Sequence, residues 1–346
     1  MAGGGYRSSV RSYPPKALLA FGLSSALLLL GACGSDKDDP AASASPSAPV
    51  SAAPSPSASA SAALKIKAST NLDAVKVSGD YGASPKVTVK APWAIDKTRT
   101  EVLKKSDGPV VKTGQSVEVN YFGVNARTGK KFDDSYSRKA SVAFNLEQVV
   151  PGFKKGLIGQ RQGSRVLVAM PGADGYDASG GSEQAGILVG DTLIFVIDVV
   201  STQLSGPEGA KVEPKAGLPT VTDKDGKPSI TVPKTAAPKA LQVQPLIKGS
   251  GKKIAPTDTI TFNYRWVAWK DGRLLEDSYS GTPGSAALSG LLPGMQQGLV
   301  GQTVGSRVLL VVPPALGYPA GNEKPKIAKD ETLVFVVDLL FTQASQ

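Results

Sequence analysis

The 346-residue chain contains no histidine and a single cysteine, and only 6% of its residues are aromatic. Without histidine there is no Ser-His-Asp triad, no imidazole general acid–base catalysis and no His/Cys zinc site. With one cysteine there is no internal disulfide, so stability must come from packing. The formal net charge is +10. Past the first residues, however, basic and acidic side chains are well mixed and no basic run is interleaved with aromatics. The composition therefore gives no nucleic-acid partner.

What is present begins with Arg7, Arg11 and Lys16, followed by the apolar run "ALLAFGLSSALLLL", which is short for a bilayer span. Basic, then apolar, then small residues is the layout of a secretory signal peptide. The small residues, "LGAC", resemble a bacterial lipobox and end on the only cysteine, Cys33. The reading is a signal peptide over 1–32 and lipidation at Cys33, which would anchor the chain to the outer face of the cell membrane. Residues 33–63 are nearly all Ser, Ala and Pro apart from "DKDDP". Such a composition cannot bury a core and predicts a disordered tether.

The remainder is a duplication. Tyr121 and Tyr264 lie 143 positions apart, as do Pro85 and Pro228; "GSRV" recurs after 142 positions, and Phe195 and Phe335 are 140 apart. The offset falls only where loops are expected. So long a period predicts two units that each fold alone, over 99–205 and 242–346. Residues 64–98 and 206–241 are extensions to which the sequence assigns no structure.

Each unit reads as mostly β. Val117, Val119 and Tyr121 alternate with polar or differently facing neighbours, as do Ile260, Phe262, Tyr264 and Trp266. "ARTGKK" and "WKDGRL" are turns. "DTLIFVIDVV" and "ETLVFVVDLL" are long apolar strands, central to a sheet. One short helix starts at Pro151, with Phe153 and Leu157 on one face; Pro293, Met295 and Leu299 repeat the pattern. The fold class is α+β: in each unit, an antiparallel sheet wraps one short helix and leaves an apolar gap between them.

"GPVVKTGQSVEVNYFGVNARTGKKFDDS", "VVPGFKKGLIGQRQGSR" and "DTLIFVIDVV" together resemble the FKBP-type peptidyl-prolyl isomerases. The resemblance implies a proline-binding hollow lined by Tyr121, Phe132, Asp133, Phe144, Val149, Val150, Phe153, Tyr176, Ile187 and Phe195. It also implies substrate hydrogen bonds from the Val150 N–H and the Tyr176 hydroxyl. Phe153 stands where the family usually has Trp, and Asp177 where Gly commonly follows the tyrosine. Arg138 either pairs with Asp133 or stands as an exposed cation. Rotation about an X-Pro bond needs no cofactor, so none is expected. The expected partners are exported proteins carrying X-Pro bonds and macrolide ligands.

The second copy keeps Tyr264, Tyr318, Ile327 and Phe335. It has Leu275 for Phe132, Glu276 for Asp133 and Met295 for Phe153, and "GSAALSG" where the first copy carries Phe144. Trp266 replaces Gly123 two residues past the tyrosine, hence on the same face. The expectation is that Trp266 partly fills a degenerate pocket and that activity resides mainly in the first domain. The rival reading is a non-catalytic module that binds proline peptides or macrolides; a third is a plain β spacer.

Overall fold

The computed structural model describes residues 66–344. The signal peptide, the tether and Cys33 lie outside the described residues. The first half contains β1 (Val75–Ser78), β2 (Lys86–Val89), β3 (Arg99–Lys104), β4 (Ser116–Asn125), β5 (Lys130–Asp134) and β6 (Val142–Asn145). Helix α1 (Pro151–Leu157), β7 (Arg165–Met170) and β8 (Leu193–Thr202) complete it. The second half contains β9 (Gly209–Lys211), β10 (Thr220–Lys224), β11 (Lys227–Thr231), β12 (Gln242–Gly249), β13 (Thr259–Ala268), β14 (Leu274–Asp277) and β15 (Gly284–Ala287). It ends with α2 (Pro293–Leu299), β16 (Arg307–Val312) and β17 (Leu333–Gln343).

The first domain is an antiparallel sheet of order β3-β7-β8-β4-β5, with β6 beside the start of β4. The second has the same order, β12-β16-β17-β13-β14 with β15 on β13, and gains the linker strand β9 outside β12. Register is preserved as well as order. Gly123 pairs with Phe195 as Trp266 pairs with Phe335, and Arg165 with Asp198 as Arg307 with Asp338.

Each helix has 7 residues, about two turns, too short to persist by propensity, and is held by packing. Proline occupies the first helical position in both. Glycines four apart face the sheet. A Cβ on Gly152 would meet Met170 Sδ at 2.4 Å, and one on Gly156 would meet Val168 at 2.7 Å. Gly294 and Gly298 have the same relation to Val312 and Leu310. The helix therefore lies directly on the strand.

The sheets are covered on both faces. Val166, Val168, Leu193, Phe195 and Ile197 face α1; Leu167, Ala169, Ile194 and Val196 face away from it. That outer face is capped by the extension, whose β1–β2 hairpin, Leu72, Ile95 and Trp93 pack on it. In the second domain the β10–β11 hairpin does the same, with Leu218, Val221 and Ile230 against Val311, Val334 and Val336. Burial on both faces explains why β8 and β17 read as unbroken apolar runs. The extensions, to which the sequence assigned no structure, are thus a third layer.

A buried ion pair fastens each cap. Arg165 and Asp198 have side chains 2% and 0% exposed and are joined by two hydrogen bonds of 2.6 and 2.8 Å. Arg165 also donates to the carbonyls of Gly79 and Ala83, and the Gly82 N–H donates to Asp198, so the hairpin turn closes on the pair. Arg307 and Asp338 repeat this, with Arg307 reaching Asp223 and Gly226 of the second hairpin.

Candidate active site

On the helix side of the first sheet the resemblance residues converge. β4 supplies Tyr121, β5 Phe132, β6 Phe144, α1 Phe153 and β8 Phe195. Phe153 and Phe195 form the floor, 7% and 3% exposed, with ring centroids 4.6 Å apart at 78°. Around them stand Phe144 (5.6 Å from Phe153), Phe132 (5.5 Å from Phe195) and Tyr121 (6.2 and 6.3 Å from the two), all in edge-to-face geometry. Edge-to-face pairs suit the ring quadrupole and lock the wall. Ile187 is 3% exposed, and Val149, Val150 and Tyr176 are half-buried against the same cluster.

One side of the wall is polar. The Tyr121 hydroxyl donates to the Asp133 carboxylate. Arg138 donates to Asp133 at 2.6 Å and to the Tyr121 oxygen at 2.7 Å. Of the two readings left open for Arg138, the structure gives the ion pair. Burial and the Asp133 carboxylate together push the Tyr121 hydroxyl up to about 12. Burial alone would raise the Asp133 carboxyl, but hydrogen bonds from Tyr121 and Arg138 outweigh it and hold it below its ordinary range. The carboxylate is therefore ionised and the phenol neutral throughout the neutral range.

Two donors are left over. Among the described residues, neither the backbone N–H of Val150, at the start of α1, nor the hydroxyl of Tyr176 donates to any protein atom. Asp177 does not displace the tyrosine: its carboxylate accepts the Gly190 N–H at 2.7 Å and pins the loop, while Tyr176 packs on the cluster. Burial, then the Asp133 charge, raises the Tyr176 hydroxyl, so it remains a donor. An apolar, ring-walled hollow with two free donors can take a small saturated ring and hold carbonyl oxygens beside it. It carries no nucleophile aligned with a base.

The second domain differs at the same place. Trp266, 5% exposed, lies between Phe335 (4.9 Å, 9° between planes) and Tyr318 (6.3 Å, 22°). In the first domain Tyr176 makes no ring contact among the described residues, and the ring that packs on Phe195 beside position 123 is Phe132, edge-on at 5.5 Å. The reason lies at Gly123: a Cβ there would stand 2.7 Å from the Phe132 ring and 3.1 Å from Phe195. With Phe132 in place a side chain at 123 would force that ring to move; with Leu275 there instead, an indole enters.

The loss of the Phe144 ring, expected from "GSAALSG", comes with a gain that was not foreseen. Ala286 occupies the register position of Phe144, and Phe262 that of Val119, with Phe262 buried in the core beside Tyr264. The second domain thus draws Phe262, Tyr264 and Trp266 from one strand, where the first takes one ring from each of five elements. Tyr264 still donates to Glu276 at 2.9 Å, but Gly281 stands at the Arg138 position. Leu275, Met295 and Ile327 line the same core.

Residues 108–200 and 250–340 each match the family model described as FKBP-type peptidyl-prolyl cis-trans isomerase. The chain is 40% identical over 101 residues to an FK506-binding protein of Streptomyces anulatus, covering 28% of this chain and 79% of that one. It is 34% identical over 116 residues to a probable FK506-binding protein of Corynebacterium glutamicum, covering 33% and 97%. Among solved structures, FkpA from Escherichia coli aligns at 30% identity over 30% of this chain and 47% of that one, with a TM-score of 0.28.

Proposed function

The chain belongs to the FKBP-type peptidyl-prolyl cis-trans isomerase family, and on that premise we propose that its first domain isomerises X-Pro bonds in exported proteins while the second is a weak or non-catalytic partner. The observation that carries this is the convergence of Tyr121, Phe132, Phe144, Phe153 and Phe195 on one hollow, set against the indole-filled slot of the second domain.

The chemistry follows from the environment. An X-Pro amide is resonance-stabilised and dipolar, with a rotational barrier of about 18–20 kcal/mol. Twisting it removes conjugation and much of the charge separation. An apolar hollow therefore disfavours the planar form more than the twisted one, relative to water. A turnover of ~10²–10³ per second requires lowering the barrier by roughly 5–7 kcal/mol. The free Val150 N–H and Tyr176 hydroxyl would hold the flanking carbonyls while the bond turns. The need exists wherever proteins fold, because uncatalysed X-Pro exchange takes tens of seconds or more.

Asp133 orients this wall through Tyr121 and Arg138. Asp133→Ala is expected to lower kcat/KM by about three- to tenfold, since hydrogen bonds to a charged group are worth roughly 1.5–3 kcal/mol and this one is partly screened by solvent. The fold should persist, because the carboxylate is 39% exposed. A peptide isomerisation assay decides; wild-type turnover in the folded variant removes Asp133 from the site. The relatives named for FK506 support a macrolide that competes with peptide for the same hollow.

The location rests on sequence. The N-terminal pattern ending in Cys33 supports a lipid anchor on the outer face of the cell membrane, with residues 33–63 as tether. Cys33→Ser is expected to move the chain from the membrane fraction to the soluble one; unchanged membrane association refutes the anchor.

A further inference from the structure

Between the two domains runs a cleft of about 620 Å³, lined by Glu118, Arg138, Lys139, the 140–143 segment, Lys252, Gln343 and Ala344. It adjoins the hollow at two points. Arg138 lines the cleft while bonding Asp133 and the Tyr121 hydroxyl. β6 separates the two spaces: Phe144 lies on the hollow, while Ala143 and its register partner Glu118 line the cleft.

The charges are unbalanced. Glu118 is the cleft's one carboxylate, 8% exposed, and its oxygens already accept the hydroxyls of Ser141 (2.5 Å) and Ser201 (3.1 Å). Lys252 reaches it only at 3.6 Å. Arg138 is neutralised by Asp133. Lys139 is exposed and makes no ion pair among the described residues. Its backbone sits at φ 51°, a left-handed conformation that favours glycine, yet a lysine is placed there. Two lysines thus overhang a cleft that lies beside the hollow's rim, across Arg138 and β6.

We propose that this cleft takes the stretch of client polypeptide flanking the isomerised proline and selects acidic residues there through Lys139 and Lys252. The inference rests on the isomerase reading for its substrate and adds a chain-specific preference. An extended client seated with its proline over Phe153 leaves the hollow past Arg138 and β6, and a Glu or Asp side chain then meets the two ammonium groups. Selection comes from contacts outside the hollow, so it changes the affinity for the flanking segment and not the rotation.

The test uses the full mature chain and proline peptides of neutral sequence carrying Glu or, in a twin, Lys at successive positions on either side of the proline. At positions on one side, the Glu peptide is expected to exceed its Lys twin by about two- to fivefold in kcat/KM, the range of exposed ion pairs. The ratio should shrink as salt rises, and Lys139→Glu with Lys252→Glu should abolish or invert it. Equal Glu and Lys twins at every position, or a ratio unchanged in the double variant, overturns the proposal and leaves the isomerase reading standing. Binding of the same labelled peptides is measured in parallel by fluorescence anisotropy. If no peptide is turned over, the isomerase reading fails, and the cleft is judged by binding alone: tighter Glu peptides support it, equal binding refutes it.

Discussion

Asp198→Ala should destabilise the first domain by about 3–5 kcal/mol, because it strands a buried guanidinium. Arg165 is 2% exposed and its other donors end on two backbone carbonyls and the Tyr136 hydroxyl, none of which carries charge. The same change removes the acceptor for Gly82 N–H and the Tyr136 hydroxyl. The hairpin over 66–98 should loosen first, exposing Leu72, Val75 and Ile95. The second domain provides an internal control. Asp338→Ala leaves Arg307 still paired with Asp223, a carboxylate 45% exposed, so the loss there should be smaller. Hydrogen exchange at β8 and β17, with denaturant unfolding of each variant, measures both. Equal losses in the two domains would contradict the assigned role of Asp223. Replacing Arg165 and Asp198 together by apolar residues should cost less than Asp198→Ala alone, because no buried charge is then left unpaired.

The sheet, the helices and the duplication were legible in the sequence because each rests on a local pattern. Alternation in β4 and β13, proline at the start of α1 and α2, and glycine in the hairpin turns all act within a few residues. The long apolar runs of β8 and β17 were read as central strands, and two covered faces are the reason. What covers the outer face was not legible. Leu72, Val75, Trp93 and Ile95 are too few and too irregularly spaced to announce a layer, and the arginine that fastens the hairpin meets its aspartate 33 residues away.

The site was legible residue by residue through its motifs, but its contacts were not. Arg138 pairs with Asp133 five residues earlier across an irregular turn, which spacing leaves undecided. The loss of Phe144 was visible in "GSAALSG"; that Phe262, at the Val119 position, brings a ring into the core beside Tyr264 depends on packing, which sequence does not give. By contrast, the exchange of Gly123 and Phe132 for Trp266 and Leu275 was visible as a substitution. The structure adds why the two changes must come together.

That pairing gives the most direct test. Gly123→Trp with Phe132→Leu rebuilds the second domain's filled slot inside the first, in a combination already known to pack against a phenylalanine on the neighbouring strand. Phe132→Leu is required, since a Cβ at position 123 would stand 2.7 Å from the Phe132 ring. The double variant should remain folded, and turnover of the full chain should fall by at least about a hundredfold, because the roughly 5–7 kcal/mol of catalysis depends on the proline ring entering the hollow. A folded double variant that isomerises prolyl peptides at the wild-type rate would contradict the account.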